Sequence, residues 1–331
     1  MKTYNSPLVL QRADPYVIKV NGTYYFTGSC PEFDRIELRR ADTINGLTDA
    51  KAKVVWIKHA FGDMASNIWA PELHYIMGKW VIYFAAGENP KGWKIRPYAL
   101  VCDGDDPMTG NWIEAGAIQA ADDDPYSFRD FSLDMTVFEN KGVWYAVWAQ
   151  KSGKHFDISD LYIAELKTPT RLKTVRRLLT TPDYEWERVM FWVNEGPSVL
   201  HHNGKIFLTY SASGTGDMYC MGMLTADENA DLLDRNSWKK RTQPILASIP
   251  ALKIYGPGHN CFVKGDEEED LCILHFRDYA KIKGDPLADH NRHAHAIKVE
   301  YDENDEPVLI PKKEELYNLS VTDEVQKGIN D

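Results

Sequence analysis

One short pattern is written five times along this chain at nearly even spacing, and it constrains the fold more than any other feature. Each copy reads as alternating residues, a tight X-Gly turn and an aromatic-rich return strand, as in Ala13-Asp14-Pro15-Tyr16 running through Asn21-Gly22 to Tyr24-Tyr25-Phe26. The turn glycines Gly22, Gly78, Gly142, Gly204 and Gly265 lie 56, 64, 62 and 61 residues apart. That period is too long for a stacked solenoid unit and suits a four-stranded sheet with its loops. The expected fold is all-β: a five-bladed β-propeller with four-stranded antiparallel blades. Radial repetition would bring the entry residues of the five copies, Asp14, Glu72, Asp134, Glu195 and His259, to one shared axis.

Strand signals run from end to end, and Asn21-Gly22 and Asn203-Gly204 are the strongest hairpin turns, because both central positions favour positive φ. No window predicts a helix of three turns; Arg35 to Ala41 reads as a short helical piece or an outer strand. The expectation is a single catalytic domain over 1–331, with the charged tail 300–331 packing on the ring or closing it, since an open ring exposes strand edges.

A formal charge of −11 over 331 residues excludes nucleic acid as a partner, which needs a cationic footprint. No apolar run approaches a membrane span, and Met1 to Pro7 has no signal-peptide core, so the chain reads as cytoplasmic. Cys30, Cys102, Cys220, Cys261 and Cys272 form no CxxC pair and read as free buried thiols. The loop Asp103-Gly104-Asp105-Asp106-Pro107 lacks the spacing and closing Glu of a calcium-binding EF-hand. Aromatic content of 12% serves sheet cores and is also compatible with a sugar-stacking site.

Several carboxylates on one axis suit glycosidic-bond hydrolysis. One carboxylic acid protonates the leaving oxygen while a carboxylate activates water or attacks carbon. Asp14, Asp134 and Glu195 enter copies one, three and four, and their joint occurrence carries the signal; each alone is also readable as a turn or cap residue. On these residues alone, a sugar-binding or metal-dependent propeller stays open beside a glycosidase.

The blocks Arg12-Ala13-Asp14-Pro15, Trp69-Ala70-Pro71-Glu72, Ser132-Leu133-Asp134, Asn194-Glu195-Gly196-Pro197 and Gly256-Pro257-Gly258-His259-Asn260 together resemble glycoside hydrolase family 43. The resemblance implies an inverting mechanism with Asp14 as general base, Glu195 as general acid, and Asp134 tuning the acid's pKa and orienting it. It also implies that His259 faces or ligates a calcium or sodium ion surrounded largely by water, with no cofactor needed for the chemistry. Arg292 falls in a segment resembling the family's last active-site strand, where it would hold Asp134 or a sugar hydroxyl. Asn67 and Trp69 would border the substrate, Trp93 and Phe33 its rim, and Glu72 would be structural or binding. His293 and His295 alternate on one strand but lack a third zinc ligand.

Within the family the chain most resembles intracellular exo-acting α-L-arabinofuranosidases that cut α-1,5-linked arabino-oligosaccharides. The long segments 28–35, 87–97 and 151–160 would block one end of a groove. A β-xylosidase, usually carrying a large C-terminal sandwich, and an endo-arabinanase are the alternatives, with a non-catalytic glycan-binding propeller more remote. Oligomeric state is left open.

Overall fold

The computed structural model describes residues 2–89, 91–152, 158–309 and 311. The first strand group is β1 (Ala13–Val20), β2 (Thr23–Ser29), β3 (Arg35–Ala41) and β4 (Lys53–Ile57), with one helical turn, α1 (Gly46–Asp49), before β4. The second is β5 (Gly62–Ile76), β6 (Lys79–Asn89), β7 (Arg96–Cys102) and β8 (Trp112–Ala117). The third is β9 (Ser132–Asn140), β10 (Val143–Ser152) and β11 (Ile158–Thr168), against which β12 (Arg171–Leu172) and β13 (Arg177–Thr180) both pair. The fourth is β14 (Trp192–His202), β15 (Lys205–Ala212), β16 (Cys220–Asp227) and β17 (Lys239–Lys240). The fifth is β18 (Tyr255–Lys264), β19 (Asp270–Arg277) and β20 (His293–Lys298); β21 (Glu300–Tyr301) and β22 (Pro307–Val308) form a small separate pair.

The hairpins follow the local chemistry. Asn21-Gly22, Met77-Gly78, Lys141-Gly142 and Asn203-Gly204 all take positive φ at both positions, the geometry a two-residue β-hairpin prefers. Arg35 to Ala41 resolves as the strand β3 rather than a helical piece.

Four-stranded antiparallel groups occur, but not five times over. The third and fourth groups are joined through a short parallel pairing, Ile158 with Trp192 and Ser159 with Val193, into one nine-stranded sheet. The fifth group has three strands, and its outer edge is met by the N-terminal segment. There Leu8 N and Ala294 N donate to Ala294 O and Val9 O at 2.7 and 2.9 Å. Residues 8–9 thus cover the edge for which the sequence offered the tail. Most of 300–331 lies outside the described residues, as do 153–157 of the segment 151–160 and residue 90 of 87–97.

Packing between groups is cyclic. The first strands of successive groups touch in the order β1, β5, β9, β14, β18 and back to β1. Five buried apolar clusters fill the spaces between neighbouring groups, and the one containing Tyr4, Leu8, Val17, Phe26, Ile273 and Ala294 joins the last group to the first. All five cysteines are free and buried within these layers.

Each first strand also carries an irregularity at the same place. Pairing register shifts between Ala13 and Tyr16, Trp69 and Glu72, Leu133 and Thr136, Glu195 and Ser198, and Gly258 and Cys261. The second residue of each interval has left-handed φ: Asp14 (+52°), Ala70 (+45°), Asp134 (+53°), Gly196 (+54°) and His259 (+45°). A bulge bends its strand and re-aims the side chain at the bend. Asp14, Asp134 and His259 are therefore true equivalents. Glu195 stands one residue before its bulge position and Glu72 two residues after, a correction to the alignment of entries drawn from sequence.

Candidate active site

The bulges are pinned by side chains of adjoining strands. Asp14 N donates to His275 Nδ1 (3.1 Å), Ala70 N to Ser29 Oγ (2.8 Å), Gly196 N to Asp134 Oδ2 (3.0 Å) and His259 N to Ser211 Oγ (2.7 Å). The strained left-handed residues are held because neighbouring groups over-determine them.

Asp14 is buried and receives the Ser29 hydroxyl on Oδ2 at 2.5 Å. Its Oδ1 lies 3.3 Å from His259 Nδ1 and 3.6 Å from Arg292 Nη1. Burial would raise its pKa, but the His259 and Arg292 cations outweigh it and bring Asp14 down to about 2. His275 Nδ1 is also close, at 3.5 Å, yet it accepts the Asp14 amide hydrogen, and burial pushes its pKa well below the usual range. We therefore read His275 as neutral, a support rather than a counter-charge.

Asp134 and Glu195 shift the other way. Burial, then the negative charges of Glu195 and Asp14, raise Asp134 against the opposing pull of His259. Burial also raises Glu195, although Tyr219 donates to its Oε1 at 2.8 Å and His259 opposes the rise. Two adjacent buried carboxyls of this kind retain a proton near neutrality. His259, whose Nδ1 also lies 3.8 Å from Asp134 Oδ2, is raised by these carboxylates despite burial and serves as the cation among them.

Asp14, Asp134, Glu195, His259 and Arg292 all line one cavity of about 640 Å³. Trp69, Trp93 and Phe131 form one wall, with Trp69 and Trp93 ring centres 5.8 Å apart and Trp93 stacked on Phe131. Met190, Phe191, Tyr219, Ser213 to Thr215 and Asp285 to Leu287 also line the cavity. Trp69 Nε1 and Arg292 Nε are buried donors without a partner among the described residues.

Three sequence expectations are relocated. Arg292 sits beside Asp14, not Asp134. Phe33 packs edge-on behind Trp69, 6.0 Å between ring centres, and does not line the cavity. Asn67 uses its amide to hold Gly92 O (2.8 Å), bracing the loop that carries Trp93. Glu72 is spent on His74 (2.8 Å), which in turn meets the Tyr16 hydroxyl (3.1 Å). His293 and His295 accept from Gln11 N and contact Ser6 Oγ, serving the chain closure. Sequence reasoning missed Tyr219, Phe131, Met190 and Phe191. The sequence carried no signal for any of them; in the structure, a Cβ at Gly258 would fall 2.4 Å from the Tyr219 ring.

The residues present do not fit a protein-built cation site. Among the described residues no group of three or more His, Cys, Asp or Glu is arranged to hold a metal, and the imidazole of His259 turns Nδ1 to carboxylates. Calcium takes six to eight oxygen ligands, so an ion facing His259 would draw nearly all of them from water.

A sheet-built cavity that sets a carboxyl of lowered pKa and carboxyls of raised pKa beside tryptophan rings has the groups that glycosidic-bond hydrolysis requires. Residues 4–307 match the model for glycosyl hydrolases family 43, and the chain belongs to that family. It is 45% identical over 307 residues to an extracellular exo-α-(1→5)-L-arabinofuranosidase of Streptomyces avermitilis, covering 92% of this chain and 63% of that protein. An enzyme of the same name from Streptomyces chartreusis is 45% identical, over 86% of this chain and 85% of its own. The crystal structure of an α-L-arabinofuranosidase from Lactobacillus brevis superposes with a TM-score of 0.87 at 46% identity, over 93% of this chain and 97% of that one.

These relatives correct two expectations. The similarity runs to enzymes named extracellular, so the intracellular and cytoplasmic reading is overturned. That reading rested on Met1 to Pro7 having no signal-peptide core, and the start of the sequence carries no mark of compartment; nor do the five buried thiols. Chain length does not separate arabinofuranosidases from longer enzymes either, because this chain spans only 63% of the Streptomyces avermitilis relative.

Proposed function

We propose that this chain is an inverting, exo-acting α-L-arabinofuranosidase that removes terminal arabinofuranosyl units from arabino-oligosaccharides, chiefly α-1,5-linked. The names of its relatives at 45–46% identity support the sugar and the exo mode. We also read the five strand groups as the blades of one propeller domain, supported by the cyclic contacts and the five inter-group clusters.

The observation that carries the mechanism is that one cavity holds Asp14 against His259 and Arg292, which lower its pKa, and Glu195 in a buried place that raises it. Asp14, held down at about 2, takes a proton from a water as that water attacks the anomeric carbon. Glu195, pushed up, gives its proton to the glycosidic oxygen as the carbon–oxygen bond breaks. The sugar leaves with inverted configuration, and solvent exchange restores both groups. Asp134 takes no part in proton transfer to substrate; it accepts the Gly196 amide hydrogen and shares with Glu195 the proton that the buried pair retains, while burial and the negative charge of Asp14 keep the acid raised. Trp69 and Arg292 supply a stacking face and donors for a hydroxyl-rich ring.

Matched aryl α-L-arabinofuranoside and β-D-xylopyranoside substrates test this, with the product anomer read by NMR at early times. The arabinoside is expected to have the higher kcat/KM and to release inverted sugar. A preference for the xyloside overturns the substrate, and retained configuration overturns the mechanism.

A further inference from the structure

Tyr219, which lies just before β16 and outside every repeat entry, is almost completely buried. Its hydroxyl donates to Glu195 Oε1 at 2.8 Å. Ser211 stands near the phenol and favours its ionised form against the rise that burial imposes. Ser211 Oγ accepts the His259 amide hydrogen at 2.7 Å. Gly258 makes the arrangement sterically possible: a Cβ there would fall 2.4 Å from Tyr219 Cε1 and 2.9 Å from Ser211 Oγ. The Tyr219 ring also lies parallel to His275, 5.8 Å between centres, which fixes the direction of its hydroxyl.

We propose that Tyr219 is a positioning residue for Glu195: its phenol fixes Oε1 as an acceptor, leaving Oε2 to carry the transferable proton. When that proton passes to the leaving oxygen, electrons of the breaking bond stay on oxygen and Glu195 becomes a carboxylate. The Tyr219 hydrogen bond strengthens against that new charge, so it favours the transition state over the ground state. It also restrains the rise that burial imposes on Glu195, keeping the acid strong enough to part with its proton.

The inference rests on Glu195 being the acid, so the experiment carries both Glu195→Ala and Tyr219→Phe. Each is assayed against an arabino-oligosaccharide and an aryl arabinofuranoside with a good leaving group, across pH. Tyr219→Phe removes one oxygen and is expected to lower kcat on the oligosaccharide about tenfold, with KM little changed and a smaller loss on the aryl substrate. The basic limb of kcat/KM should move upward by about one pH unit, because a donor to the ionised carboxylate is gone. Ser211→Ala should move it the same way by less, and decides the matter if Tyr219→Phe does not fold. An unmoved basic limb with equal losses on both substrates overturns the role of Tyr219. Equal losses in Glu195→Ala instead overturn the acid assignment, a separate failure.

Discussion

Asp134 accepts the backbone N–H of Gly196, the residue that follows Glu195, at 3.0 Å. One carboxylate thereby orients another through the main chain rather than side chain to side chain. Gly196 has φ of +54°, and a Cβ there would stand 3.1 Å from the His259 ring. Gly196→Ala is expected to cost about 1–3 kcal/mol of stability, read from urea midpoints. Activity should fall at least about tenfold as Glu195 shifts. A variant as stable and active as the parent would show that this grip is dispensable.

Glu195→Ala should slow arabino-oligosaccharide hydrolysis by about 10²–10⁴-fold, the usual range for a lost general acid. An aryl arabinofuranoside with a low-pKa leaving group should lose far less, since its oxygen departs without protonation. Steady-state kinetics on both substrates measure the ratio.

His259→Ala removes the cation nearest Asp14, the first of the charges that hold this carboxyl at about 2. The pKa of Asp14 should rise, so the acidic limb of kcat/KM moves to higher pH, with activity at the optimum down at least about tenfold. The opposite movement, or none, would place the control of Asp14 elsewhere.

Three histidines of the fifth group each turn Nδ1 to the N-terminal stretch: His275 to Asp14 N, His293 to Gln11 N and His295 to Ser6 Oγ. Burial lowers all three pKa values, His293 to about 4. A depressed histidine contributes nothing to the pH dependence above its unfolded value of about 6.5 and destabilises the fold as pH falls from there toward 4, where the unfolded chain takes up the proton first. For His293 the loss is on the order of 3 kcal/mol across that window. Asp134 and Glu195, being raised, work in the opposite sense, so a variant must isolate the term. His293→Asn keeps an acceptor near the Nδ1 position without a titrating ring. Its urea midpoint should fall less than the parent's between pH 6.5 and 4; parallel curves would remove His293 as a cause.

The five-fold pattern and the residues Asp14, Asp134, Glu195 and His259 were legible because hairpin turns and chemically loaded entries recur together. The register among them was not. A bulge shifts the facing of a strand by one residue without any fixed sequence mark, which is why Glu72 reads as an equivalent of Asp14 while Ala70 holds that place. Tyr219, Phe131 and Phe191 come from connections outside the repeat, where neither period nor motif points to the cavity. Arg292 was legible as a cation near the site, but which carboxylate it faces depends on ring closure, a contact made across nearly the whole chain.

That closure sets an order in time. Asp14 is made well before His275, which holds its amide from 261 residues further on, and Arg292 comes later still. A growing chain can assemble the hairpin that carries Asp14 long before the partners that ionise and aim it exist. Asp14 is thus made before the groups that hold its amide and lower its pKa, and the last of them, Arg292, arrives only as the chain enters the strand His293–Lys298.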